Sequence, residues 1–186
     1  MELTLIRHLP TEWNKKGVLQ GRKDIPILEL NNKDKEDIEK NKKMLRPKYS
    51  LILTSTLTRT QQTAIAYGYE NFEPEPLLNE LNFGEFEGKK KQHLIETYQN
   101  LWFSNPGEIV LGEKIADLEK RMLAFIDKYK DYDSMLVFGH GSWIRACLAY
   151  SKFGTINKMN QLEIKNNQML TIGFREEEYE IGRHHI

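Results

Sequence analysis

The stretch Leu5-Ile6-Arg7-His8-Leu9-Pro10-Thr11-Glu12-Trp13-Asn14 ends a short apolar run on an adjacent arginine and histidine. Met1 to Ile6 reads as an N-terminal strand, since Leu3, Leu5 and Ile6 are apolar and Thr4 favours extended backbone. Pro10 marks the loop that follows. A reactive pair therefore stands at the carboxyl end of a strand. In open α/β sheets that edge binds ligands, because the connecting loops leave a crevice there.

Working outward, the same arrangement recurs. Ser50-Leu51-Ile52-Leu53-Thr54 is short and continuously apolar, as a buried strand of a parallel sheet should be. The helix behind it opens on Thr58-Arg59-Thr60-Gln61, which has the form of a capping box, and Gly68 supplies a stop. Arg59 then lies in a helix's first turn, where the dipole favours an anion over a cation. That mismatch disappears if an anion sits between them. Leu77 to Leu81 reads as a short strand containing Glu80, and Met135 to Phe138 as a buried strand that Gly139-His140-Gly141-Ser142 turns into a helix running through Tyr150.

Other segments fill in the fold. Gly17, Gln20-Gly21-Arg22 and Asp24 to Ile27 form a turn-rich loop suited to covering a ligand. Helices are expected over Asn32 to Leu45 at the surface, Lys89 to Pro106, and Glu113 to Lys130, where Ile115, Leu118, Met122, Phe125, Ile126 and Tyr129 form one apolar stripe. Residues 168–174 and 178–183 read as a hairpin about an acidic turn at Glu176 to Glu178. The 186 residues suit a single domain spanning 1–186, with no internal repeat or linker.

Lysine plus arginine and aspartate plus glutamate balance at 27 each, so no global field draws the chain to nucleic acid or an anionic membrane. Any anion site must be local. No apolar run approaches the roughly 18 residues of a spanning helix, and the chain begins without a signal-like segment. The lone Cys147 has no partner for an internal disulfide, and a cytoplasmic location is expected.

Four strand ends thus carry Arg7-His8, Arg59, Glu80 and His140, and parallel strands joined by helices bring such ends to one edge. Two guanidinium groups and two imidazoles suit a phosphate dianion, which arginine binds through paired hydrogen bonds. A neutral imidazole is also a nucleophile, and the same cations would stabilise a transferring phosphoryl group. Glu80 would protonate the leaving alcohol and later activate water, for which a raised pKa would help.

These residues occur within Leu5-Ile6-Arg7-His8-x-x-Thr11-x-x-Asn14, Gln20-Gly21, Ser55-Thr56-Leu57-x-Arg59-x-x-Gln62-Thr63-Ala64, Leu78-x-Glu80-x-x-Phe83-Gly84-x-x-Glu87-Gly88 and Gly139-His140-Gly141. In order and spacing the set resembles the histidine phosphatase superfamily, which includes the cofactor-dependent phosphoglycerate mutases. The resemblance implies an α/β fold, a three-layer α/β/α sandwich with a mostly parallel central sheet. It also implies no metal or other cofactor and a phosphohistidine intermediate. His8 would be the nucleophile, Arg7, Arg59 and His140 the phosphate clamp, and Glu80 the proton donor. Asn14 would touch the phosphate, and Gln20 and Gly21 would lie beside the substrate. Arg22 is a further candidate substrate contact.

The chain departs from the family pattern at Leu9-Pro10, where glycine usually follows the nucleophilic histidine, so the loop is expected to be shaped differently. Trp143 stands where a second small residue is common, and either narrows the site or packs. Arg145 is read as a structural ion-pair partner, Glu113 as a helix cap, and Trp13, Trp102 and Phe103 as packing residues. The leading function is a phosphomonoesterase acting on a small phosphorylated metabolite. Alternatives are mutase-type phosphoryl transfer and, from a different class, an inactive phosphate-binding regulatory module. A reading of His8, His140 and Glu80 as metal ligands is opposed by the two arginines.

Overall fold

A computed structural model describes residues 1–174. In chain order its elements are β1 (Glu2–Arg7), α1 (Glu12–Lys16), α2 (Asn32–Lys42), β2 (Leu51–Thr54), α3 (Thr58–Ala66), β3 (Glu73–Pro74), α4 (Lys91–Ser104), α5 (Ile115–Tyr129), β4 (Ser134–Gly139), α6 (Gly141–Phe153) and β5 (Met169–Gly173). The sheet order is β3-β2-β4-β1-β5. All neighbours pair in parallel except β5, which runs antiparallel on β1.

Side chains on the two central strands explain the layering. Leu3, Leu5, Met135 and Val137 join a core with Ile115, Leu118, Met122 and Phe125 of α5 and with Ile144 and Cys147 of α6. Ile6, Leu136 and Phe138 point the other way, into a second core with Ile38 of α2 and Ala64 of α3. Successive strand residues alternate between faces, so a strand covered on both sides must be apolar throughout, as β4 is. The result is the expected α/β/α arrangement with a mostly parallel sheet.

Strand register builds the functional edge. Ile6 pairs with Phe138 and Arg7 with Gly139, while Thr54 of β2 also stands beside Phe138. His8 and His140 consequently leave adjacent strands side by side, their rings 5.4 Å apart and inclined at 61°.

Several local expectations are corrected. Leu77 to Leu81 is not a strand: Pro76–Leu78 is a 3-10 turn, with the Glu75 carboxylate accepting from the Leu77 N–H at 2.9 Å. Pro76 fixes a helical φ at the start of that turn, and Leu78 and Leu81, three residues apart, are both fully buried. The strand added to β2 is instead the two-residue β3. Nor does Thr58 cap α3. Leu57 occupies the cap without a side-chain bond, and Asp24 accepts from the Thr58 N–H at 2.8 Å and its hydroxyl at 2.7 Å. An acidic group thus still serves the positive end of α3, but it comes from the covering loop.

Helix α4 is broken at Gln99, whose φ of 48° and ψ of −126° are not helical. Helix α5 starts at Ile115 with Lys114 at its cap, so Glu113 is not the cap; its carboxylate accepts from Asn82 N–H and pairs with Arg121 at 3.0 Å. Of the expected hairpin, the first strand is present as β5, Met169–Gly173, within the expected 168–174, and residues 178–183 lie outside the described residues. Among the described residues, no helix is long and apolar enough to cross a membrane.

Candidate active site

The edge formed by β1, β2 and β4 opens into a cavity of 580 Å³. Arg7, His8, Asn14, Gln20, Gly21, Arg59 and Glu80 line it, which brings together seven of the residues anticipated from sequence. His140 and Arg22 are not in its lining.

His8 is almost fully buried, and its Nδ1 lies 2.7 Å from the carbonyl oxygen of Leu9. A carbonyl only accepts, so the ring proton resides on Nδ1 and the lone pair on Nε2. Burial, followed by the nearby Arg59 and Arg7 charges, pushes the pKa of His8 well below the ordinary value of 6.5. The imidazole is therefore neutral at physiological pH, with a defined tautomer.

His140 is the opposite tautomer. Arg59 Nε only donates, and it reaches His140 Nδ1 at 3.3 Å, so the His140 proton is on Nε2 and is donated to Ser55 Oγ at 2.7 Å. Burial, then Arg59, lowers this pKa also. With both nitrogens engaged by protein, His140 stands behind Arg59 as its support. Thr60 lies 2.9 Å from the Ser55 hydroxyl and extends the support into α3.

The guanidinium groups are tied by backbone carbonyls. Arg59 Nη1 donates to Lys23 O and Nη2 to Gly21 O, each at 2.8 Å, and Arg7 Nη1 donates to Ile164 O at 2.7 Å. Burial lowers both pKa values to about 10, partly offset by Glu80, and both groups stay cationic at neutral pH. Gly21 has a positive φ of 53°, and a Cβ there would run into the Glu87 carboxylate that holds the Arg22 N–H. Only glycine presents its carbonyl to Arg59 in this way without displacing Glu87.

Glu80 reaches the amino end of α6. Its Oε1 accepts from the N–H groups of Leu81 (2.9 Å), Ser142 (3.1 Å) and Trp143 (3.3 Å), and Oε2 lies 3.1 Å from the Ser142 N–H. Asn14 Oδ1 accepts from the Thr11 N–H and hydroxyl at 3.1 Å and from Asn166 Nδ2 at 3.2 Å, which leaves Asn14 Nδ2 as a donor. Arg22 turns instead toward Glu113, 3.7 Å away.

Leu9 resolves the departure in the opening loop. Its side chain is fully buried in the second core with Ile6 and Phe138, away from the cavity, and its N–H donates to Thr63 Oγ1 at 3.0 Å. No positive φ is required there, as Gln99 and Asn167 are the only non-glycine residues with one among those described. Trp143 packs edge-on against Phe125 at 5.3 Å and donates to Leu77 O at 2.9 Å, so it does not narrow the site.

Arg145 is a correction: among the described residues it forms no ion pair, donates to Ser142 Oγ at 3.2 Å and lines the cavity. Lys91, Trp102, Asn160, Glu163 and Asn166 join it there, none of them anticipated as site residues. Arg145 had a readable signal, lying four residues after Gly141 and thus one helical turn above the sheet edge that carries the cavity. The 160–166 segment had none, since neither periodicity nor a motif marks it. Among the described residues no three His, Cys, Asp or Glu side chains are grouped as a metal site requires.

A sequence profile of the histidine phosphatase superfamily (branch 1) matches residues 3–186. The chain belongs to that superfamily. This member of the histidine phosphatase superfamily is 30% identical over 154 residues to a Hydrogenobacter thermophilus protein named "Putative phosphoserine phosphatase 2", covering 77% of this chain and 75% of that one. It is 26% identical to the 2,3-bisphosphoglycerate-dependent phosphoglycerate mutase of Bartonella henselae, covering 91% and 87%. The alpha-ribazole phosphatase of Shigella flexneri shares its fold, with a TM-score of 0.75 at 22% identity and coverage of 95% and 92%.

Proposed function

We propose that the protein is a phosphomonoesterase that passes the phosphoryl group of a small phosphorylated metabolite to His8 and then to water. The observation that carries this reading is the His8 tautomer: the Nδ1 proton is committed to Leu9 O, so the Nε2 lone pair is available in a cavity also lined by Arg7, Arg59 and Glu80. In the first step Nε2 forms a bond to phosphorus as the ester P–O bond breaks, and Glu80, entering the step as the carboxylic acid, gives its proton to the departing alkoxide and becomes the carboxylate. In the second, Glu80 takes a proton from water, whose oxygen bonds to phosphorus as the P–N bond breaks. Inorganic phosphate leaves and both residues return to their starting states.

Arg7, Arg59 and the Asn14 amide would hold the phosphoryl oxygens, and fixed donors need no reorganisation as charge shifts among those oxygens. His140 acts through Arg59 as a positioning residue, holding Nε while two carbonyls hold the rest of the guanidinium. Two of the three names reported, "Putative phosphoserine phosphatase 2" and alpha-ribazole phosphatase, accord with ester hydrolysis on small metabolites, and the third is that of a mutase. The test is steady-state hydrolysis of p-nitrophenyl phosphate by the wild type and His8→Ala. Turnover is expected only in the wild type, and equal turnover in the variant would refute the assignment.

A further inference from the structure

Buried polar atoms without a protein partner are uncommon in folded proteins, and a cluster of them marks where something else binds. Among the described residues six side-chain atoms are in this state: Arg7 Nε, Gln20 Oε1, Arg22 Nε, Thr54 Oγ1, Trp102 Nε1 and Asn160 Oδ1. Arg7, Gln20, Trp102 and Asn160 all line the one cavity already described. Arg7 belongs to the phosphate end. The other three do not: they are neutral, and each residue is at least nine-tenths buried, at 7% exposure for Gln20, 1% for Trp102 and 9% for Asn160.

Trp102 and Asn160 form a unit. Asn160 Nδ2 donates to the Trp102 carbonyl at 3.0 Å, which settles the amide orientation and leaves Oδ1 as an acceptor. The indole Nε1–H is a donor only. Trp102 sits three residues beyond the break in α4 at Gln99, so a local departure from helical geometry precedes the residue that faces the cavity. The neighbouring Gln161 repeats the link, its Nε2 donating to Phe103 O at 3.0 Å, so two side-chain amides fasten the end of α4 to the 160–161 segment.

We propose that Trp102, Asn160 and Gln20 form the leaving-group subsite, and that the substrate is the phosphate monoester of a hydroxylated alcohol. A hydroxyl both accepts and donates, so hydroxyl groups beyond the ester oxygen satisfy the Trp102 N–H and the Asn160 and Gln20 carbonyl oxygens together. A carboxylate offers nothing to the two acceptors and an ammonium nothing to the indole. Set against these three side chains, either would leave water for neutral partners, a greater desolvation cost than a hydroxyl bears; the charged members of the lining beyond the phosphate end, Lys91, Arg145, Glu163 and Lys165, are separate side chains. This inference rests on the phosphomonoesterase reading and adds the substrate class to it.

The test compares kcat/KM for glycerol 1-phosphate, n-propyl phosphate and O-phosphoserine, with phenyl phosphate as a reference. The wild type is expected to prefer glycerol 1-phosphate over n-propyl phosphate by at least about tenfold, because the unhydroxylated chain leaves buried groups unpaired. In Trp102→Phe and, separately, Asn160→Leu, that ratio should fall toward one. A wild-type ratio near one, a preference for O-phosphoserine over glycerol 1-phosphate, or a ratio unchanged in both variants would overturn the proposal. The wild-type ratios decide the matter even where a variant fails to fold. Phenyl phosphate turnover without hydroxyl preference defeats the subsite alone, whereas no turnover of any ester defeats the phosphomonoesterase reading and the subsite with it.

Discussion

His8 Nδ1 lies 2.7 Å from the carbonyl oxygen of its own neighbour Leu9, and this single bond fixes which imidazole nitrogen keeps its lone pair. Because the acceptor is backbone, the bond survives any side chain at position 9 that preserves the loop. Burial and the charges of Arg59 and Arg7 keep the ring neutral, so tautomer and protonation state are both set before a ligand arrives.

The two buried histidines should make stability depend on pH. Their folded pKa values are depressed, so below about pH 6.5 the unfolded chain binds protons that the native state does not. Stability is then complete above that pH and is lost as pH falls, by up to about 1.4 kcal/mol per pH unit for each histidine. Urea midpoints at about pH 7.5 and pH 5.5 read the difference, and the His8 and His140 ring resonances should show no titration near 6.5.

Replacing Glu80 with glutamine should slow alkyl phosphate hydrolysis by about 10²–10⁴-fold, the usual contribution of a positioned acid. The phosphorylation step with p-nitrophenyl phosphate should suffer far less, because its leaving group departs without a proton. Burst amplitudes and rates for the two ester types separate these effects.

Leu9→Ala removes a fully buried side chain from the second core and should cost about 2–5 kcal/mol in denaturant unfolding. The ring bond to the carbonyl at position 9 should remain, so the phosphohistidine still forms under conditions where the variant is folded.

Asp24→Ala should release the covering loop from α3. The carboxylate accepts from both Thr58 groups, while Arg59 binds the carbonyls of Gly21 and Lys23 on the same loop. Loss of about 1 kcal/mol of stability is expected from the missing cap, together with a raised KM for aryl phosphates.

The legible parts of the fold were those in which burial dictates residue type. Strands β1, β2 and β4 read as apolar runs because helices cover both faces, and the α5 stripe was matched residue for residue by burial. Leu77 to Leu81 misled because a buried 3-10 turn and a short strand both present apolar residues, and only Pro76 argued for the turn. The α3 cap was hidden because its acceptor, Asp24, comes from 34 residues away. At the site, Arg7 and His8 were visible as residue types at a strand end, and Asn14, Arg59 and Glu80 through the spaced motif. His140 was visible too, but sequence does not reveal that Ser55 and Arg59 engage both its nitrogens. Trp102 and Asn160 were invisible as site residues, since a buried tryptophan looks like core until its indole N–H is found unpaired.

The most direct measurement is rapid-quench mass analysis of the protein mixed with a reactive aryl phosphate and stopped within the first turnover. Acid-labile phosphate should appear on the peptide bearing His8, on imidazole, and should decay as inorganic phosphate is released. Phosphate on another residue, or turnover at an undiminished rate with His8 unmodified, would contradict the central claim.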